Sequence, residues 1–502
     1  MAISLQERTC GLLLHPTSLP GPHGCGDLGP AAHAFADWAA DAGQRLWQML
    51  PVVPPAGGSS PYQSNSAFAG SPWLVSLEVL HQEGLLSRGD IEGASLPEDR
   101  VDFAPTERFR EERLRRAFEV FRTSPPEAFF AFCTRERAWL DDFALYCALK
   151  KAYNNQAWSR WPRPLRERHP EALRQAAEDH KTEVRFHQFV QYQFQRQWSA
   201  LRKHCAERHL ALIGDIPIFV GHDSADVWQN PGLFFLDADG EPTVVAGVPP
   251  DYFSETGQRW GNVLYRWDAH RAQGYAWWIA RFRSMLEKFD AVRVDHFIGF
   301  HRYWEIEASC PTAVDGRYRP GPGAPFFQAI EDALGPMPII AEDLGVVTPE
   351  VDALRARFHF PGMKVLQFSF TSDPKARHIL PFSFSRDLAV YTGTHDNNTT
   401  RGWFDELGAT PSTAQDRAFV LDYLGTTGDQ IHWDLIRLAH QSPANLAILP
   451  VQDLLGLGAS ARMNTPGVAE GNWSYRLRNG ALDEGICRRL KRISEVCGRT
   501  RL

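Results

Sequence analysis

No stretch of the 502 residues approaches the ~18 consecutive apolar side chains that a bilayer-spanning helix needs, so the sequence offers no membrane segment. The opening, Met1-Ala2-Ile3-Ser4-Leu5-Gln6-Glu7-Arg8, lacks the basic-then-apolar layout of a secretory signal. The eight cysteines (Cys10, Cys25, Cys133, Cys147, Cys205, Cys310, Cys487 and Cys497) are scattered and contain no C-x-x-C pair. That excludes a disulfide framework and a zinc ribbon, and reads as buried thiols in a reducing compartment, so a cytoplasmic protein is expected. Positive charge is in deficit: 53 Lys and Arg against 60 Asp and Glu leave a net −7, which argues against nucleic acid or another polyanion as partner. There is no internal repeat, no low-complexity tract, no G-x-S-x-G elbow and no Walker loop. Wholesale disorder is excluded by 43% hydrophobic and 23% charged residues. Aromatics, by contrast, are plentiful, with 16 Trp and 31 Phe. A large core is one use for so many flat apolar faces, and stacking on sugar rings is another.

The length is about three times a typical ~150-residue domain, but α/β barrels run past ~250 residues as one unit and accept long insertions. Short apolar runs alternate with helical patterns. The candidate strands are Gly11–His15, Arg45–Val53, His209–Val220, Asp290–Phe297, Pro338–Leu344, Met363–Phe370, Leu388–His395 and Asn445–Gln452. Helices are expected from Pro30 through Trp38, over Tyr275–Lys288, and from Thr348-Pro349-Glu350, where Thr caps, Pro takes the first helical position and an acid sits in the first turn. Eight strand–helix alternations suggest a parallel sheet, and the count favours closure into a (β/α)8 TIM barrel over an open doubly wound sheet; periodicity alone does not separate the two. We therefore expect one catalytic α/β barrel over residues 1–502, with residues 75–205 forming a helical insertion between strands two and three. Its amphipathic stretches are Glu107–Phe121, Glu127–Lys151 and Pro170–Lys203. Lys150–Lys203 holds 12 Lys and Arg against 5 Asp and Glu, with Phe186, Phe189, Tyr192, Phe194 and Trp198 interleaved. A nucleic-acid face would look similar, but rings at helical spacing pack inward in an ordinary amphipathic helix, and that reading is preferred. After the last candidate strand the chain reads as largely helical (Ala481–Val496), leaving no room for a C-terminal β-domain.

A parallel barrel gathers its chemistry at the C-terminal ends of the strands. Four apolar runs end in acids there: Asp215 in Gly214-Asp215-Ile216-Pro217, Asp295 in Arg293-Val294-Asp295-His296, Glu342-Asp343 after Ile339-Ile340-Ala341, and Asp396 after Gly393-Thr394-His395. Any one could be a loop or cap carboxylate; barrel closure would bring all four into one cleft. Arg293 and Asp295 lie two apart on a strand and so face the same way. A guanidinium keeps a neighbouring carboxylate ionised, which suits a nucleophile as well as a plain ion pair. A second carboxyl that is buried and crowded by acids would hold its proton at neutral pH. Two carboxyls tuned apart are what glycosidic bond cleavage requires. The segment Val248–Asn262 is too polar and too rich in Pro and Gly for core, and places rings beside hydrogen-bonding groups, as a sugar site does; it is expected to be a loop. Ser59-Ser60-Pro61-Tyr62-Gln63-Ser64 has a similar character. Two rival motifs are weaker. Gly24-Cys25-Gly26-Asp27-Leu28-Gly29 matches G-x-G-x-x-G but is cut off from its strand by Leu19–His23 and lacks the acid ~20 residues on. His222, Asp223 and Asp226, or His395 and Asp396, lack a third well-spaced ligand, so no metal and no cofactor is expected.

On these residues the chain closely resembles the amylomaltase family, 4-α-glucanotransferases also called disproportionating enzymes and related to the α-amylase group. The motifs extend from Gly11–Pro20 through Ser60–Ser64, Gly214–Ile218, Pro249–Trp260, Arg293–Phe297, Ala341–Gly345 and Gly393–Asn397 to Asn464–Gly467 and Asn472-Trp473. The missing C-terminal β-domain fits this family and departs from ordinary α-amylases. The resemblance implies catalytic roles for Asp295 as nucleophile, Glu342 as general acid and then base, and Asp396 as a third carboxylate that holds and distorts the ring. It implies substrate contacts for Arg293, His296 and His395 at the same subsite, Asp215 near it, and Tyr62, Gln258, Trp260 and Asn464 along the glucan. The implied reaction is transfer of an α-1,4-glucan segment, from maltodextrin or from chains derived from starch or glycogen, to the 4-hydroxyl of glucose or a maltodextrin. It would proceed by retaining double displacement, with nucleophile and acid about 5 Å apart. The alternative is an α-1,4-glucan hydrolase of the α-amylase type. A covering role for the Pro249–Trp260 loop and the helical insertion, which would keep water from the intermediate, is expected as well.

Overall fold

The computed structural model describes residues 4–56, 59–250, 254–371 and 379–500. Their strands are, in chain order, β1 Thr9–Leu13, β2 Leu46–Gln48, β3 Ala211–Ile216, β4 Val244–Val248, β5 Gln258–Val263, β6 Ala291–Val294, β7 Arg302–Glu307, β8 Gly316–Pro320, β9 Ile339–Ala341, β10 Gly362–Val365, β11 Leu388–Tyr391 and β12 Leu446–Pro450. Eight of them pair in parallel in the order β10-β11-β12-β1-β2-β3-β6-β9. The two ends of this order meet: Ala341 N donates to Pro361 O at 2.9 Å, and Met363 N to the Asp343 carboxylate at 2.8 Å. The chain is a (β/α)8 barrel, and the open-sheet alternative falls away. Leu12, Trp47, Ile213, Val292, Ile340, Val390 and Ile448 are wholly buried, as expected of parallel strands covered on both faces. Helices that include Pro30–Asp41, Ala276–Lys288, Ala324–Leu334, Pro349–Arg357, Ile431–Gln441 and Glu484–Val496 make the outer layer. Gly11 is required where β1 meets β2, because a Cβ there would lie 2.3 Å from Leu46 Cβ.

The barrel strands fall on the eight expected runs; β1 is displaced by two residues, the other seven are shorter than expected, and four of the early endings have a local cause. β2 stops after Gln48, ahead of Pro51, Pro54 and Pro55, which cannot donate to a ladder. β3 gives way to Pro217. β6 ends because His296 turns into the left-handed region, with φ 48° and ψ 51°. β12 passes straight into the helix Val451–Leu454. Several of the ends that the apolar pattern marked as strand are therefore loops, and two of them carry Asp295 and Glu342, while Asp215 stays within β3.

Between β2 and β3 the chain is mainly helical, with Phe103–Phe121, Glu127–Ala152 and Lys181–Glu207 as its longest helices. The expected single stretch Pro170–Lys203 is two helices, Pro170–Asp179 and Lys181–Glu207, broken at His180. Phe186, Phe189, Tyr192, Phe194 and Trp198 are all buried, as the inward-packing reading of the amphipathic helix expects. This helical region holds the loop after β3 through several contacts, three of them on one side chain. Asp223 accepts from Tyr146 OH at 2.8 Å, Lys150 Nζ at 2.6 Å and Trp158 N at 3.2 Å.

A second sheet, antiparallel in the order β5-β4-β7-β8, was not expected; the segment Val248–Asn262 was read as loop. Its second half is β5, which pairs with β4, while Asp251, Tyr252 and Phe253 lie outside the described residues. The sheet buries Val245 and Ile306 with Ala313 as a small core of its own. β7 begins just after the tight turn Phe297–Phe300, so the sheet is tethered directly to the end of β6. Among the described residues no strand follows β12, and no helix is long and apolar enough to cross a membrane.

Candidate active site

At the C-terminal mouth of the barrel, β3 and β6 are paired so that Asp215 and Arg293 stand side by side in register. Arg293, only 3% exposed, donates through Nη1 to both Asp215 oxygens at 2.8 Å, and its Nη2 lies 3.0 Å from Asp295 Oδ1. One buried guanidinium thus holds two carboxylates, one on each side. Tyr62, in the loop after β2, donates its hydroxyl to Asp215 at 2.6 Å. Burial, and then the Asp215 charge, push the Tyr62 phenol well above its ordinary range, so it stays protonated and remains the donor. Asp295 itself is partly open to the mouth, with 28% of its side chain exposed.

Glu342 follows β9 and is buried. Both of its oxygens accept backbone amides, from His296 N at 2.6 Å and Leu344 N at 3.0 Å. The His296 amide can aim that way because of the same left-handed backbone that ends β6. A non-glycine residue in that region is strained, and such strain collects at functional sites. Burial raises the Glu342 carboxyl to about 7; Arg293 and the two amides pull it down, and Asp295 pushes it further up. Two acids on adjacent strands thus sit in unlike surroundings. One is partly exposed and ion-paired; the other is buried and still holds its proton near neutrality.

The loop after β11 brings His395 and Asp396. His395 Nε2 lies 3.3 Å from Asp396 Oδ2, and Asn464 Nδ2 donates to Asp396 Oδ1 at 2.6 Å. Burial disfavours the charged form of each, but their mutual attraction outweighs it: His395 is raised and Asp396 falls well below the usual carboxylate range. The Tyr62 ring stacks on His395 with centroids 5.0 Å apart, which joins this pair to the Asp215–Arg293–Asp295 chain. On the far side, Trp260 of β5 meets His296 edge-on at 5.0 Å and donates its Nε1 to Gln258 Oε1 at 3.2 Å. The eleven expected site residues thus form two contact groups, seven around Arg293 and four around His296, joined at the consecutive residues Asp295 and His296. Gln258 and Trp260 reach the mouth from a strand of the second sheet, not from a loop.

Two contributors escaped the sequence reading. Arg462 Nη2 donates to the Asp396 carbonyl at 2.7 Å, and its Nε to Asn464 O. Trp473, seen only as part of a motif, packs on both Tyr62 and His395 with centroids 5.7 and 5.9 Å away, and does so from a left-handed backbone at φ 65°. Such a φ is not written in residue type, unless the residue is Gly or Asn. Among the described residues no group of three or more His, Cys, Asp or Glu could hold a metal. Asp226 is taken up by Ala67 N at 2.8 Å, and His222 by Gly240 O at 2.7 Å. A groove of about 1170 Å³ lies elsewhere, between the helical region and the helix Ala276–Lys288, and none of the acids above lines it. Its charged walls pair with one another, as in Arg196 with Glu83 and Arg135 with Glu136.

The comparisons with known proteins agree in direction. The glycoside hydrolase 77 family model, described as 4-alpha-glucanotransferase, matches residues 14–482. The chain is 49% identical to a 4-alpha-glucanotransferase of Thermus thermophilus over 504 residues, covering 98% of this chain and 99% of the relative. It is 48% identical to one of a Synechocystis strain, covering 99% of each. Among solved structures it resembles the amylomaltase from Streptococcus agalactiae in complex with acarbose, with TM-score 0.95 and 36% identity over 99% of this chain and all of the other. An amylomaltase from Corynebacterium glutamicum shares the fold at TM-score 0.79 and 17% identity, over 98% of this chain and 75% of that one.

Proposed function

The chain belongs to the 4-alpha-glucanotransferase family, and from that premise we propose how its residues divide the work of transferring an α-1,4-glucan segment. Asp295, ion-paired with Arg293, attacks the anomeric carbon of the donor from one face of the ring. Glu342 delivers its proton to the leaving glycosidic oxygen, and the first half of the chain departs. The retained segment is now covalently bound to Asp295. The carboxylate left on Glu342 then takes a proton from the 4-hydroxyl of an incoming glucose or maltodextrin, whose oxygen displaces Asp295 and restores the original anomeric configuration. Asp396, with His395, grips the ring hydroxyls and favours the flattened ring of the transition state. Asp215 and Tyr62 hold Arg293 in place; Trp260, Gln258, His296 and Asn464 hold the glucan.

The observation that carries this reading is the contrast between the two acids. Glu342 is buried, held by two amides and raised to about 7, while Asp295 stands beside a guanidinium. Transfer prevails over hydrolysis only if a sugar hydroxyl reaches the intermediate before water. The second sheet, the loop ahead of β5 and the helical region bound to Asp223 are proposed to cover the mouth for that purpose. The acarbose bound by the S. agalactiae relative supports an α-glucan as ligand here. We place the enzyme in the cytoplasm, a setting supported by eight cysteines that are all free thiols. The test is a product ladder from maltotriose. A transferase yields glucose together with chains longer than the substrate; a hydrolase yields only shorter ones. Asp295→Asn should give neither. A ladder without longer chains would leave the hydrolase reading in possession.

A further inference from the structure

The loop that carries His395 and Asp396 leaves the barrel at Thr392, directly after β11, and ends at Thr400, the first residue of the helix Thr400–Glu406. Both feet stand on a single side chain that touches neither His395 nor Asp396. Asp453, in the short helix after β12, is 1% exposed. Its Oδ2 accepts from Thr392 Oγ1 at 2.5 Å and from Thr400 Oγ1 at 2.8 Å, and its Oδ1 accepts the Thr400 amide at 2.7 Å. Thr392 and Thr400 are themselves wholly buried. Asn397 Oδ1 accepts Thr394 N and Oγ1 within the loop, and Gln367 Nε2, on the turn after β10, donates to Asn398 O; neither ties Thr392 to Thr400. The distance between the feet is thus set from outside the loop, by one carboxylate.

A buried carboxylate is costly unless donors surround it, and Asp453 is met by three neutral ones. Those bonds are short and form only when both feet are in place, so the acid is stable in one loop geometry and not in others. The same stretch of chain grips the crown of the loop as well. Asn464 N donates to His395 O at 3.0 Å, and Arg462 to Asp396 O. β11 and β12 are neighbouring strands, so the feet, the clamp and the crown are all referred to one rigid seam of the barrel.

We propose that Asp453 is a positioning residue for the transfer reaction: by fixing the spacing of Thr392 and Thr400 it sets where His395 and Asp396 stand against the reacting ring. The proposal rests on the reading above, in which those two residues act on that ring. Because the distorted ring is held more tightly than the relaxed one, loss of the clamp should fall on turnover more than on substrate binding.

The test is a set of variants in the full-length enzyme, with thermal melts to establish folding. Asp453→Asn keeps the volume and one acceptor; Thr392→Val removes one donor without changing shape, and serves should the former not fold. In maltotriose disproportionation both should lower kcat at least tenfold with KM within threefold. Acarbose, which carries a half-chair ring, should bind at least tenfold more weakly, and maltotriose within threefold. A cycle with Asp396→Asn, read with an activated α-maltosyl fluoride donor so that low rates stay measurable, isolates the path of the effect. In the Asp396→Asn background, Asp453→Asn should cost less than a further twofold. A multiplicative loss in that background, or a kcat within twofold of the parent for both folded single variants, overturns the proposal. Near-normal turnover by Asp396→Asn would instead overturn the reading beneath it.

Discussion

A group that protonates a leaving oxygen has to keep its proton at a pH where the nucleophile beside it has lost its own. In the proposed reaction Glu342 meets that demand by its burial, while Asp295 stands partly exposed and ion-paired with Arg293. The buried carboxyl is raised to about 7, and its working form is the protonated one, so activity should be lost as pH rises through that value. The expected record is a kcat/KM for maltotriose that falls tenfold per pH unit above about 7–8. An alkaline limb unmoved from the usual carboxylate range would remove Glu342 from the acid's role. Glu342→Gln should lose about 10²–10⁴ in rate with maltotriose. It should recover the first half-reaction with a glycosyl fluoride, whose leaving group needs no proton. Trp473 is tested differently. Its ring backs both Tyr62 and His395, so Trp473→Ala should cut kcat/KM at least tenfold, whereas Trp473→Phe should keep most of it. Equal losses would mean that the indole is more than a wall. The acids were legible in the sequence because residue type and strand-end position carry their chemistry. Trp473 and Arg462 were not, because the first depends on a backbone angle and the second on a partner, Asp396, far away in the chain.

At the scale of elements, apolar runs located all eight barrel strands but overran their ends. Burial continues past the last ladder bond: Met49, Leu50 and Val52 are as buried as β2 itself, yet they follow the start of a proline-broken loop. The second sheet was illegible for the opposite reason. β5 and β8 are edge strands of mostly half-buried or exposed residues, Gln258–Val263 and Gly316–Pro320, and their polarity reads as loop. Element packing also makes a prediction through Lys288, at the end of the helix Ala276–Lys288. Its ammonium is buried and meets only neutral acceptors, the carbonyls of Phe68 and Ser284 and the Ser284 hydroxyl, and burial brings it down to about 8. A base lowered on folding favours the fold most above its unfolded value, and that contribution is lost as pH falls through the folded one. Lys288→Met lacks this term. Measured against wild type, its stability should therefore gain up to about 3 kcal/mol as pH drops from above ~10.5 to below ~8, and then level off. Denaturant melts at pH 7 and pH 10 would check it; a difference that does not change with pH would mean that burial leaves the Lys288 ammonium unshifted.

The molecule as a whole separates its two faces. The proposed chemistry occupies the C-terminal mouth, while the opposite end, where β1 opens at Thr9, is tied together by Arg499, just after the helix Glu484–Val496. Arg499 is 1% exposed and, among the described residues, has no carboxylate as a hydrogen-bond partner. Its guanidinium donates to the carbonyls of Thr9 at 2.8 Å, Asn445 at 2.9 Å, His440 at 2.9 Å and Ala444 at 2.9 Å, with Ala439 and Ser442 slightly farther. Thr9 opens β1 and Asn445 precedes β12, so this one side chain seals the seam where the first and last strands meet. Only a planar fork with five donors can serve so many acceptors; a lysine cannot. Removing it leaves several buried carbonyls unpaired, at a cost of at least about 3 kcal/mol, or roughly 3 °C in the apparent melting temperature. Arg499→Met should therefore melt lower and inactivate faster on heating, with Arg499→Lys little better. At 25 °C the folded fraction of either should retain kcat and KM within twofold, since the seal lies at the stability end of the barrel and not at its active end. Asp453→Asn is expected to behave in the opposite sense, losing turnover more than stability. If Arg499→Met lost turnover at 25 °C while remaining folded, the two ends of the barrel would be coupled, and the division of labour argued here would not hold.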